Sequence, residues 1–135
     1  MEKQKKVIDS SVIVKWYAKE EDFEKAIKLK EEYLSEKIIL IAPSLVMIEV
    51  LNAMKYKKEN NIPLEKINNS LWEMQLNIEG INESTLNKTS EIALKYNISI
   101  YDALYVTIAQ LHGCPLITAD KGLYGIPNVI PLEKT

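Results

Sequence analysis

This chain contains no arginine; its 17 basic residues are all lysine. Lysine is a compact point charge on a flexible stem, whereas the planar guanidinium forks onto base edges. Base readout through bidentate Arg–base pairs is therefore excluded. Cys114 is the one cysteine, so an internal disulfide is impossible, which fits a reducing compartment. His112 is the one histidine, and no imidazole pair or cluster can form. Glycine is scarce, and Gly122 and Gly125 fall around a turn, "KGLYGIPN", rather than in a phosphate-binding loop. No apolar run is long enough to span a membrane. The beginning of the chain, "MEKQKKVIDSS", lacks the apolar stretch of a signal peptide. These absences lead to the expectation of a cytoplasmic protein with no membrane contact.

The 135 residues suit one domain, residues 1–135, large enough to bury a core without covalent staples. The net charge of −2 argues against a protein coated in positive field. The acids are unevenly chosen: 15 are Glu and only four are Asp. Where a negative charge alone is needed this chain uses Glu, so each Asp calls for its own reason. Asp22 has a simple one, as an N-cap before "FEKAIKLKEEYL". Asp9, Asp102 and Asp120 do not.

Hydrophobic patterning predicts strands over residues 6–9, 38–41, 76–78, 115–118 and 129–130. It predicts a short helix over 11–18 and an amphipathic one over 22–35. Further helices are predicted from 43–44, where Ser44 caps or Pro43 starts, to about 60, and over 63–74, 83–96 and 100–111, the last ended by Gly113. Short apolar strands alternating with helices indicate an α/β fold with a short, mainly parallel sheet flanked by helices. In such sheets ligands bind beyond the carboxyl ends of the strands. Both "KVIDSS" and "PLITADKG" are apolar strands that end in Asp with a hydroxyl close by, placing Asp9 and Asp120 at that edge.

Asp102 lies in "SIYDALY", where Ser99 and Asp102 match a capping box. Taken alone it reads as a helix cap, whose macrodipole also favours the ionised carboxylate. Glu49 lies in "SLVMIEVLNAM", apolar on most sides. It reads either as part of a narrow exposed stripe with Asn52 and Tyr56 or as a carboxylate aimed into a polar pocket, because burying it unpaired is costly. Together these acids fall at strand ends and helix starts. Clustered carboxylates repel, and no Arg exists to neutralise them. A divalent cation is the natural counter-charge, and oxygen-only ligation suits Mg²⁺ or Mn²⁺ rather than Zn²⁺. Such ions serve phosphoryl chemistry by activating water and stabilising the leaving oxygen.

Four stretches, "VIDSSVIVKW", "APSLVMIEVLNAM", "SIYDALYVTIAQ" and "LITADKGL", stand in the order and spacing of the PIN-domain nucleases, and the chain most resembles the small VapC-type toxins. The resemblance covers essentially the whole chain. It implies a three-layer PIN-like fold, an acidic metal pocket and endonucleolytic cleavage of single-stranded RNA. It further implies an antitoxin partner and a homodimer. By motif match, Asp9, Glu49, Asp102 and Asp120 form the acidic quartet, with Ser11 and Thr118 as hydroxyl neighbours and Asn52 as a polar neighbour of Glu49. One departure stands out. Many relatives carry a further acid just after the last Asp, where this chain has Lys121 and Gly122, which implies weak or substrate-dependent binding of a second ion.

Other residues are assigned bland roles. His112 is expected at a helix C-terminus, Cys114 in the core, and Trp16 and Tyr17 in packing rather than base stacking. The run "KYKKENN" is expected to be a solvated helix end, with contact to RNA phosphates as the alternative. Two competing functions remain open. One is a non-catalytic PIN-like module that binds RNA or protein. The other is a phosphatase using Asp9 as nucleophile; haloacid-dehalogenase phosphatases need a second Asp two residues on, where Ser11 sits.

Overall fold

A computed structural model describes residues 2–135. The apolar runs form five strands: β1 (Gln4–Ile8), β2 (Ile38–Pro43), β3 (Asn77–Glu79), β4 (Leu116–Thr118) and β5 (Val129–Pro131). They pair in the order β3-β2-β1-β4-β5, all parallel. Val7 of the central strand lies opposite both Ile41 and Leu116. Parallel strands covered on both faces need continuous apolar runs, and Val7, Ile8, Leu40, Ala42 and Leu116 are accordingly shut off from solvent.

The strand order matters for function. From β1 the chain moves outward to β2 and β3, then returns to the other side of β1 as β4 and β5. Connections leaving β1 and β4 therefore diverge. The carboxyl ends of this pair are the topological switch point, where ligands bind in open α/β sheets.

The helices are α1 (Ser10–Ile13), α2 (Phe23–Leu34), α3 (Leu45–Lys55), α4 (Leu64–Glu73), α5 (Glu83–Tyr96) and α6 (Ile100–His112). They flank the sheet in three layers. α6 lies against β1, β2 and β4, and its residues from Ala103 to Ala109 are all buried. α5 packs on α6, joined by the buried Thr89–Thr107 hydroxyl pair at 3.0 Å. Trp16 is buried and donates to the Ala26 carbonyl at 2.9 Å. The Tyr17 hydroxyl pairs with Ser70 at 2.9 Å. Both aromatics thus serve packing, as the sequence leads one to expect.

Several boundaries differ from the sequence-based expectation. The helix over 11–18 is only α1 followed by a 3-10 turn, Val14–Trp16. α3 stops at Lys55, not near residue 60, because the polar run that follows has no apolar face to dock. The third strand is shifted by one, which buries Leu76 ahead of it and lets Asn77 donate to the Leu40 carbonyl at 3.2 Å. Of the two proposed helix starts at 43–44, Pro43 pairs within the sheet, whereas Ser44 does occupy the N-cap position but its side chain makes no capping bond. Asp22 does occupy the N-cap position, but its backbone is left-handed, at φ 62°, and its side chain caps nothing. A capping side chain normally hangs from extended backbone. No helix of the described residues is long and apolar enough to cross a membrane.

Candidate active site

Asp9 follows directly on β1 and Thr118 ends β4, so the sheet itself brings them together. The Ser11 hydroxyl donates to Asp9 Oδ1 and the Thr118 hydroxyl donates to Asp9 Oδ2, each at 2.5 Å. Each hydroxyl also accepts a backbone N–H: Ser11 from Ala119 at 2.9 Å and Thr118 from Asp120 at 3.0 Å. The hydroxyl protons therefore point at the carboxylate, because the backbone donors occupy the other side of each oxygen. Asp9 is 5% exposed and fully held by neutral donors. Its carboxyl is raised to about 6, chiefly by burial, with the two hydroxyls opposing and the charge of Asp120 adding to the rise.

Asp120 turns the chain out of β4. Its carboxylate accepts the Gly122 N–H at 2.9 Å, which fixes the short turn Lys121–Leu123. A Cβ at residue 122 would meet Asp120 Oδ1 at 3.2 Å, so a glycine there leaves room for the acid. Asp102 stands at the start of α6, half-buried, with its N–H given to the Ser99 hydroxyl at 3.0 Å. The Ser99 half of the capping box is therefore made. The Asp102 carboxyl is nonetheless pushed up, first by burial and then by the charge of Asp120, with the Ser99 hydroxyl opposing.

Glu49 sits one turn into α3 and is half-buried. Tyr105 of α6 donates its hydroxyl proton to Glu49 Oε1 at 2.5 Å. Burial raises the Glu49 carboxyl, the Tyr105 hydroxyl lowers it, and the charge of Asp102 raises it again. Glu49 is thus neither freely solvated nor unpaired. Asn52 and Tyr56, its companions in the exposed-stripe reading, do lie open to solvent. Asn52 makes no hydrogen bond among the described residues, so the structure leaves it outside the bonded network.

Sequence reasoning passed over Tyr105. It lies three residues after Asp102, on the same face of the helix. Burial, then the hydrogen bond to Glu49, hold its phenol well above the ordinary tyrosine range, so it remains a donor. The available signal was chemical: a tyrosine within the apolar "DALYVTIAQL" needs a partner for its hydroxyl.

The four acids are thus linked in a chain of mutual repulsion: Asp9 with Asp120, Asp120 with Asp102, and Asp102 with Glu49. None is ion-paired among the described residues. The donor set suits a hard divalent cation. As the side chains stand, no three Asp, Glu, His or Cys residues of the described chain converge as direct ligands on one ion. That spacing is compatible with Mg²⁺, which keeps several waters and takes one or two carboxylates plus substrate phosphates.

The largest cavity described, about 710 Å³, lies elsewhere. It opens between the turn after α1 (Tyr17, Glu20) and the end of α3 (Met54, Tyr56, Lys57). His112 does close α6, as expected, and pairs with Glu79 of β3 at 2.5 Å. Cys114 is buried.

Residues 6–129 match the family model for the PIN domain. The chain is 31% identical over 125 residues to Ribonuclease VapC3 of Pyrobaculum aerophilum, covering 88% of this chain and 92% of that protein. Two solved structures share the fold at low sequence identity. A toxin–antitoxin complex from Klebsiella pneumoniae superposes with a TM-score of 0.71 at 18% identity, covering 96% of this chain and 98% of the other. VapC20 of Mycobacterium tuberculosis, a toxin that cleaves the sarcin-ricin loop, gives 0.71 at 11% identity over 92% and 96%. The chain belongs to the PIN domain family, among the relatives of the VapC ribonucleases.

Proposed function

We propose that this protein is a Mg²⁺- or Mn²⁺-dependent endoribonuclease that cuts single-stranded stretches of RNA, and that it is the toxin of a toxin–antitoxin pair in the cytoplasm. One observation carries the reading. A buried aspartate at the switch point of the sheet is gripped by two hydroxyls, has no cation partner, and stands in a row of acids in which burial and mutual repulsion push up the carboxyls of Asp9, Glu49 and Asp102. Such an arrangement costs folding free energy, and a metal-dependent reaction is a sufficient reason to retain it.

Asp9, Glu49, Asp102 and Asp120 would hold the hydrated ion, one or two of them directly and the others through its water shell. When bound it supplies a polarised phosphate and an activated water. Ser11 and Thr118 fix the orientation of Asp9, and Asn52 lies where a polar contact with RNA is available. The substrate class is supported by the kinship to a protein named as a ribonuclease. With Lys as the one cationic residue type, binding should follow RNA shape and single-strandedness and weaken steeply with salt.

An antitoxin is supported by the structural likeness to a toxin–antitoxin complex. A basic side chain of such a partner would satisfy two of the unpaired acids with charge-assisted bonds. The cavity beside α3, where Tyr17 and Met54 lie among Lys19, Lys57, Lys58 and Glu59, and the exposed Ile48 offer a mixed polar and apolar seat for its remaining length. Exposed Leu86, Leu94 and Leu111 on α5 and α6 supply surface for a homodimer.

The test is cleavage of a structured RNA by the purified protein with Mg²⁺ or Mn²⁺ and with chelator. Metal-dependent cuts in loops are expected. Intact RNA with metal present, from protein shown to be folded, would leave the non-catalytic binding module as the better reading.

A further inference from the structure

We infer that Tyr105 is a positioning residue for this site: its hydroxyl anchors Glu49 Oε1 so that Oε2 is presented to the ion or its water shell. The inference rests on the metal-dependent reading above. Glu49 carries three rotatable bonds and no cation partner among the described residues. Its one hydrogen bond within the protein comes from Tyr105, at 2.5 Å. The other oxygen, Oε2, has no protein donor, and no buried side-chain oxygen among the described residues lacks a partner, so Oε2 faces solvent. The carboxylate is thus fixed by one atom and open at the other.

The anchor itself is rigid. Tyr105 is 1% exposed within the helix that packs on β1, β2 and β4, and its ring is immobilised by close packing. The phenol is the donor that α6 offers to α3 at this point, tying two helices that each contribute an acid, Asp102 and Glu49. A neutral donor has a specific merit here. A lysine at residue 105 would compete with the cation for Glu49, whereas a hydroxyl orients the carboxylate and leaves its charge available. Residues that orient metal-binding carboxylates from behind typically change affinity or activity by about 10- to 100-fold when removed.

A purely structural role is the competing account, in which Glu49 merely satisfies a buried phenol. Tyr105→Phe separates the two when compared with the parent in three measurements: Mn²⁺ affinity by calorimetry in the absence of RNA, kcat and KM for RNA cleavage, and thermal unfolding in chelator. The positioning role requires Mn²⁺ affinity to fall about tenfold or more. It also requires kcat to fall with KM little changed, and Glu49→Gln to add little further loss on the Tyr105→Phe background. Unchanged Mn²⁺ affinity and kcat, whatever the shift in unfolding temperature, overturn the inference and leave the nuclease reading standing. Absence of Mn²⁺ binding and cleavage in the parent itself overturns both. Should Tyr105→Phe fail to fold, the parent decides: Mn²⁺-induced broadening of the Tyr105 ring resonances that Glu49→Gln abolishes supports the role, and broadening indifferent to Glu49→Gln refutes it.

Discussion

Two regions of this molecule hold their acids by opposite means. At the turn after α1, Glu20 is ion-paired to Lys57 and lies 3.6 Å from Lys15, and at the far edge Glu79 is hydrogen-bonded to His112, an ion pair only when that ring is protonated. At the carboxyl edge of β1 and β4, Asp9 is held by two hydroxyls, Glu49 by a phenol, and neither by a cation. Lysine is abundant in the chain, so the difference is one of placement and not of supply. Neutral donors fix a carboxylate's direction and leave its charge uncancelled. Cations cancel the charge. The first arrangement leaves negative charge unspent, as the proposed metal site requires, and the second completes a surface.

Substitutions on each side of that contrast should separate widely. Asp9→Asn is expected to lower metal-dependent RNA cleavage by about a thousandfold or more, the rate equivalent of losing several kcal/mol of metal-borne stabilisation. Glu20→Gln should leave cleavage within a few-fold of the parent. Equal losses in the two variants, read from initial rates at saturating Mg²⁺, would dissolve the distinction.

The next effect is pH dependence without metal. The Asp9 carboxyl is raised by burial from 3.8 to about 6. Below about pH 4 both folded and unfolded chains carry the proton, and Asp9 costs nothing. Between about pH 4 and pH 6 the unfolded chain releases its proton first, so stability falls as pH rises. The cost, about 3 kcal/mol, is complete above about pH 6. Urea unfolding in chelator should show this decline, steepened by the raised Glu49 and Asp102 carboxyls. Asp9→Asn should remove most of it. The variant's gain at neutral pH should be smaller than the full cost, because an amide nitrogen now faces one of two hydroxyls aimed to donate.

Linkage gives a third measure. Mg²⁺ at about a hundred times its dissociation constant should stabilise the parent by about 2.7 kcal/mol, and should stabilise Asp9→Asn far less. An identical melting shift in both would place the ion elsewhere.

Thr118→Val comes next in size. It removes one charge-assisted bond to Asp9 and orphans the Asp120 N–H, which should cost about 1–3 kcal/mol. Cleavage should fall, though less than in Asp9→Asn, since Ser11 still grips the other oxygen. His112→Gln should show the smallest effect, less than about 1 kcal/mol, because both partners of its pair are part-exposed. A larger loss there would mean that the paired edge is more than a finished surface.

Much of the arrangement was legible in the chain itself. The strands betrayed themselves as apolar runs, and the scarcity of Asp singled out Asp9, Asp102 and Asp120 before any geometry was known. What stayed hidden were contacts between distant segments. Nothing in "DALYVTIAQL" tells which element Tyr105 meets. That depends on α3 and α6 lying side by side, which only the packed fold decides. The caps failed for a related reason. Asp22 and Ser44 are ideal residue types for a helix start. At Asp22 the chain arrives in a left-handed conformation, and at Ser44 the residue before it is still paired in β2. Local propensity yielded to the path that the sheet imposed.

The grip on Asp9 also has a history in time. Ser11 and Thr118 meet across 107 positions of sequence, and Thr118 bonds Asp9 across 109. Contacts so distant in sequence must wait for the loop between them to be closed. During synthesis β1 emerges before β4, and its aspartate stays unclasped until β4, more than a hundred residues further on, slides in beside it. A translation product interrupted before Thr118 has one hydroxyl instead of two at its first acid, and no Asp120. The order of the strands therefore acts as a safeguard: only a chain extended past Asp120 can finish the acidic edge.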